Sequence, residues 1–102
     1  MELKPGSRWK SSVCATEVVV VRPPKSAVSL ECGGAPMVAL AADIPAGGTL
    51  DPDFSGGTSI GKRYFDEAAG IEVLGSKPGA GSLGVDGRAL SIKTAKALPA
   101  SD

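Results

Sequence analysis

Cys14 and Cys32 are the residues of this chain best suited to chemistry, and histidine is absent from all 102 positions. Without imidazole there is no Ser-His-Asp triad, no HExxH site, no Cys/His finger and no imidazole general base. A tetrahedral iron or zinc site built on sulfur needs four soft ligands, and two thiolates cannot close one. Three readings of the pair stay open. The thiols are buried and inert, behaving as small hydrophobes. They form a disulfide. Or they supply half of a metal site that Glu31, an aspartate or a partner chain completes, with iron or zinc as the candidate metal.

Other candidate chemistry is weaker. Glu17 and Glu72, Ser11 and Asp66, and Glu31 and Asp86 recur at one spacing. Paired carboxylates can divide acid and base roles when their surroundings separate their pKa values, although solvated strand faces normally carry such charges. Gly56-Gly57-Thr58-Ser59-Ile60-Gly61-Lys62 fits the phosphate-loop pattern, but Arg63 stands where Ser or Thr should bind magnesium, and a strand is expected after it instead of a helix. Gly79-Ala80-Gly81-Ser82-Leu83-Gly84 fits G-x-G-x-x-G, yet a hairpin should follow it and not a pyrophosphate-binding helix. Both loops read as glycines that permit positive φ in turns.

The elements that must position these residues are short. Fourteen glycines and eight prolines break the chain, and four aromatic residues leave the core to Val, Leu, Ile and Ala. Val18-Val19-Val20-Val21 is β-branched throughout and predicts a strand buried on both faces or in a tight β-core. Pro23-Pro24 ends it. Val28 to Leu30 and Pro36 to Leu40 predict short strands around a Gly33-Gly34 turn. Residues 41–59 read as a connecting loop, longer than most compact domains use. Ile60 to Phe65, Ile71 to Leu74, Ser82 to Val85 and Ala89 to Lys93 predict further strands, with Asp86-Gly87 as a two-residue hairpin turn and one helical turn near Asp66 to Ala69. Trp9 and Tyr64 read as core or interface aromatics.

Shifting the chain on itself by 55 places Gly6-Ser7-Arg8-Trp9 over Gly61-Lys62-Arg63-Tyr64, Glu17-Val18 over Glu72-Val73, and Leu30-Glu31 over Val85-Asp86. Residue classes keep their order over about 26 positions, which reads as two copies of one β-unit, the alternative being two unrelated hairpins with similar turns. The expected organisation is one compact domain: a repeat unit over about 6–40, the loop at about 41–59, a second unit over about 60–95, and a polar tail at 96–102.

These units resemble desulforedoxin and the N-terminal module of desulfoferrodoxins, which are rubredoxin-like. That family runs aromatic-x-Cys-x-x-Cys-Gly, then a Val/Glu-rich strand, a Gly-rich turn and Cys-Cys-Gly-x-Pro-Met. Trp9-Lys10-Ser11-Ser12-Val13-Cys14-Ala15 is similar to the first knuckle, with Ser11 replacing its first cysteine. Glu31-Cys32-Gly33-Gly34-Ala35-Pro36-Met37 is similar to the second, with Glu31 for a cysteine and one residue inserted. In the second unit the shift of 55 puts Asp66, Ala69, Asp86 and Gly87 at the four cysteine positions. The resemblance covers roughly 65 residues. It implies an all-β fold, a small barrel or sandwich of two such units about a pseudo-twofold axis, with Cys14 and Cys32 drawn together. In the family the thiolates bind iron and the unit pairs as a homodimer.

Eleven basic and eleven acidic side chains give a formal charge of zero, against the basic excess of a nucleic-acid binder. No apolar run is long enough to span a membrane as a helix, and no charged-then-apolar leader opens the chain. The expected location is the cytoplasm, where a lasting disulfide is disfavoured. The expected function is a non-catalytic accessory or interaction protein, partnering a larger enzyme or itself. The alternative is a metal or electron-transfer protein using Cys14 and Cys32, completed across a dimer. A small enzyme built on carboxylates and lysines is the third reading, with no substrate class attached.

Overall fold

In a computed structural model, residues 2–44 and 48–93 are described. Ten short strands make up the regular structure: β1 (Arg8–Lys10), β2 (Glu17–Arg22), β3 (Leu30–Cys32), β4 (Ala35–Pro36), β5 (Val38–Ala39), β6 (Arg63–Asp66), β7 (Ile71–Lys77), β8 (Leu83–Val85), β9 (Arg88–Ala89) and β10 (Ser91–Lys93). They form two antiparallel sheets, one ordered β10-β6-β7-β2-β1-β5 and the other β4-β3-β8-β9. The fold is all-β, as composition implied. The barrel alternative is corrected: among the described residues each sheet ends in strands that pair on one side alone, so neither closes on itself.

Local chemistry explains the turns. Asp86 and Gly87 both take positive φ, 49° and 82°, and the pair Val85↔Arg88 flanks them. This is the backbone a two-residue hairpin of matching twist demands. Gly33 and Gly34, at φ 66° and 84°, make the same turn between Cys32 and Ala35. The helical turn expected near Asp66 to Ala69 is present as a single turn that does not continue into a helix. Gly70 donates its N–H to the Asp66 carbonyl at 2.8 Å, and Gly70 takes the positive φ that closes it.

The valine run is not buried on both faces. Val18 and Val20 are buried, whereas Val19 is half-buried and Val21 exposed, because a strand sends alternate side chains to opposite faces. Across from them on β7, Ile71 and Val73 are buried, and the second sheet contributes Leu30, Cys32, Leu83 and Val85 to the same core. Each fully buried large aliphatic side chain stabilises by about 1.5–3 kcal/mol. Trp9 and Tyr64 join this core as expected. Their polar tips stay satisfied: the Trp9 Nε1–H donates to Ser7 Oγ at 3.0 Å, and Tyr64 Oη accepts the Ser59 N–H at 2.9 Å.

The two halves of the chain share pairing registers. Arg8↔Val19 and Trp9↔Val18 recur 55 residues on as Arg63↔Leu74 and Tyr64↔Val73. In the second sheet the spacing becomes 53: Glu31↔Pro36 and Cys32↔Ala35 recur as Gly84↔Ala89 and Val85↔Arg88. The expected equivalence of Glu31 with Asp86 is therefore corrected. Hairpin register puts Gly84 opposite Ala89 as Glu31 is opposite Pro36, because the segment before β8 is two residues shorter than the one before β3. The central ladders join the halves, β2 to β7 around Val19↔Leu74 and β3 to β8 around Glu31↔Gly84.

Residues 51–54 of the expected loop are laced onto the second sheet. Asp51 caps a 3-10 turn at Pro52–Phe54 by accepting the Asp53 N–H. Asp51 N–H donates to Gly33 O, and Ser82 N–H donates to Phe54 O at 2.7 Å. The polar tail expected at 96–102 lies outside the described residues. No helix among the described residues is long and apolar enough to cross a membrane.

Candidate functional site

Cys14 and Cys32 come together, their sulfurs 3.7 Å apart. Cys32 ends β3 just before the Gly33-Gly34 turn, and its side chain is fully buried. Cys14 sits in the 11–16 reversal between β1 and β2, which is closed by Ser11 N–H donating to Thr16 O at 2.8 Å, and is half-buried.

Ser11 builds that reversal. Its hydroxyl oxygen accepts the N–H groups of both Val13 and Cys14 at 3.1 Å. In the other half Asp66 Oδ2 does the matching task, accepting the Ala69 N–H at 2.9 Å. Side-chain acceptors at this spacing satisfy turn N–H groups that a sheet ladder cannot reach. Ser11 and Asp66 therefore act as backbone organisers, and Arg88 adds an ion pair to Asp66 at 2.8 Å.

The sulfurs differ in environment. Cys14 Sγ lies 3.3 Å from Thr16 Oγ1 and accepts the Gly81 N–H at 3.4 Å. Burial opposes its thiolate, but the hydroxyls of Ser11 and Thr16 and the N–H groups of Thr16 and Gly81 outweigh it, lowering its pKa to about 7. Burial pushes the Cys32 thiol up to about 11. The Thr16 hydroxyl offsets that only in part, and charge on Cys14 reinforces it. The thiol pair is thus divided into an accessible acid and a buried, reluctant one.

Thr16 was not singled out from sequence, and Gly81 entered there only as one glycine of the G-x-G-x-x-G lookalike. Thr16 follows Cys14 by two positions, a spacing with no motif attached. Gly81 lies 67 residues away in sequence. Its glycine is required here, since a Cβ would stand 2.9 Å from Gly33 N and 3.1 Å from Cys14 Sγ.

The donor set does not fit a closed four-thiolate centre. Sulfurs bound tetrahedrally at about 2.3 Å from zinc are about 3.8 Å apart, so the pair spans one edge of such a site. Among the described residues the opposite edge has no ligands in place. Ser11 Oγ is already bonded to two N–H groups, and Glu31 turns away to accept the Gly87 N–H at 2.9 Å. Among the described residues no group of three or more His, Cys, Asp or Glu side chains converges. In the second half the positions matching Cys14 and Cys32 by register hold Ala69 and Val85, both buried in the core.

The carboxylates are dispersed. Glu17 and Glu72 sit at opposite ends of the β2–β7 ladder, paired in register with Lys77 and Arg22. Glu72 is nearly buried between Arg63 at 3.4 Å and Lys93 at 3.2 Å, beside a groove of about 580 Å³. Asp86 accepts the Ser29 N–H at 2.8 Å. The first phosphate-loop lookalike runs through a bridge at Thr58↔Gly79 into strand β6, and the second runs into β8 and the Asp86-Gly87 hairpin. Neither is followed by a helix. No family model, curated protein or solved structure matches this chain.

Proposed function

We propose that the chain is a tandem copy of a rubredoxin-like β-unit, its halves related by a pseudo-twofold axis, and that it serves as a non-catalytic accessory module docking on a larger protein. The observation that carries this reading is apolar packing at positions that match Cys14 and Cys32 in the other half. Ala69 and Val85 are buried in the core where Cys14 and Cys32 stand in the other half, and Ser11 and Asp66 anchor turns. The palindromic strand order and the repeated registers support the duplication. Packing between the halves stands in for the metal that a unit of this size otherwise needs. Edge strand β10, with Ile92 46% exposed, pairs on one side alone among the described residues, an edge suited to a partner strand. Light scattering of the purified chain, followed by cross-linked capture from host lysate, tests the reading. A stoichiometric complex that Ile92→Lys weakens is expected. A strict monomer with no captured partner overturns it.

The 3.7 Å sulfur separation favours a second reading, a metal half-site at Cys14 and Cys32 completed by ligands from another chain. Titration with cobalt(II) decides it. Thiolate-to-metal charge-transfer absorption that is lost in Cys14→Ser supports the half-site, and a colourless titration ends it.

A further inference from the structure

We infer that Cys14 and Cys32 form a dithiol–disulfide couple that reacts with small aliphatic disulfides of the glutathione type, Cys14 attacking first and Cys32 resolving. This goes beyond the accessory reading and does not rest on it. Three observations carry it. The sulfurs lie 3.7 Å apart on separately anchored segments, so about 1.7 Å of closure brings them to disulfide bonding distance. Both anchors are bonded in place: the 11–16 reversal by Ser11, and the β3 end by Gly33 N–H donating to Ser82 O at 2.9 Å. Access is unequal, since Cys14 is half-buried and Cys32 is wholly enclosed. A dissolved disulfide therefore meets Cys14 and not Cys32.

The surroundings of Cys14 suit a nucleophile. The Gly81 N–H points at its sulfur and the Thr16 hydroxyl lies beside it, so negative charge developing there is met by donors already in position. The Cys14 thiolate attacks one sulfur of the small disulfide, forming a mixed disulfide and breaking the incoming S–S bond. The bonding pair leaves with the first small thiolate, which takes a proton from solvent. Cys32 then gives its proton to solvent, and its sulfur attacks Cys14 Sγ. The Cys14–Cys32 bond forms as the second small thiolate departs and is protonated. In balance, two protein thiols are oxidised and one small disulfide is reduced to two thiols.

The test uses the full-length reduced chain with an excess of oxidised glutathione, quenched in acid, alkylated and weighed intact. The expected product is a monomer lighter by two hydrogens with both thiols lost to alkylation. After trypsin under non-reducing conditions, the fragments 11–25 and 26–62 should remain joined. In Cys32→Ser a single glutathione adduct should accumulate on Cys14, whereas Cys14→Ser should stay unmodified. Two free thiols remaining in the wild-type chain, a stable glutathione adduct on it, or disulfide-linked pairs of chains would each overturn the proposal. An adduct on Cys32 in Cys14→Ser would overturn the assigned order. The wild-type measurement decides the couple however well the variants fold, and loss of partner binding would leave its outcome untouched.

Discussion

At Cys14 a few ångströms of hydrogen-bonding geometry outweigh burial. Its pKa of about 7, against about 11 for Cys32, sets how the folded chain reacts with an alkylating agent. The thiolate is the reactive form, so iodoacetamide labelling of Cys14 should rise with pH through a midpoint near 7. Cys32 should stay unlabelled until the chain unfolds, and peptide mass analysis resolves the two sites. Thr16→Val keeps the side-chain shape and removes the hydroxyl, and should move the midpoint upward toward an ordinary thiol. Asp66 offers a second pH test. The hydrogen bond and charge of Arg88, with the Ala69 N–H, hold its carboxyl below the usual range. A depressed carboxyl stabilises the fold above its unfolded pKa, and that contribution is lost as pH falls through the folded value. Asp66→Asn should therefore unfold at lower urea than wild type at pH 7, with the difference vanishing in strong acid. Ser11 and Asp66 stand where the resembled family has cysteines, and each accepts a backbone N–H in a turn instead.

Strand β2 tests the fold at the scale of an element. Its side chains alternate, Val20 facing the core with 1% of its surface exposed and Val21 facing out at 40%. Val20→Ala should cost about 2 kcal/mol in urea unfolding, and Val21→Ala less than about 0.5 kcal/mol. Equal losses would mean that both faces are buried. The Asp86-Gly87 hairpin gives a cleaner backbone measurement. A Cβ on Gly87 would touch nothing within 4 Å, so Gly87→Ala should lower stability by about 1 kcal/mol through its positive φ alone. The hairpin was legible because its dipeptide states the backbone it needs. The valine run was legible as a strand of the β-core, but not which of its valines face inward, because period-two burial leaves no mark in four identical residues.

At the scale of the whole molecule, both central ladders cross from one half of the chain to the other, β2 to β7 and β3 to β8. Neither half retains a complete sheet without its counterpart. Residues 1–45 and 55–102 expressed separately should show no cooperative melt, whereas the full chain should melt in one transition. Two independent melts would make the halves autonomous. The same arrangement makes the core a joint product, since buried residues from both sheets and both halves meet in it.

An all-β chain with short, turn-bounded strands follows from the β-branched and glycine content, and the Asp86-Gly87 and Gly33-Gly34 turns from backbone preferences that act within a few residues. The spacing of 55, which recurs in the pairing registers of the first sheet, was readable in the order of residue classes. Its change to 53 in the second sheet was not, because a register is set by which backbone groups meet across the sheet. Proximity of Cys14 and Cys32 was expected from resemblance, but their difference in acidity was decided by tertiary structure alone. Gly81 reaches Cys14 from 67 residues away, and burial of Cys32 depends on both sheets. Contacts of that range leave no local trace in sequence, since they are made by segments whose own composition answers to other constraints.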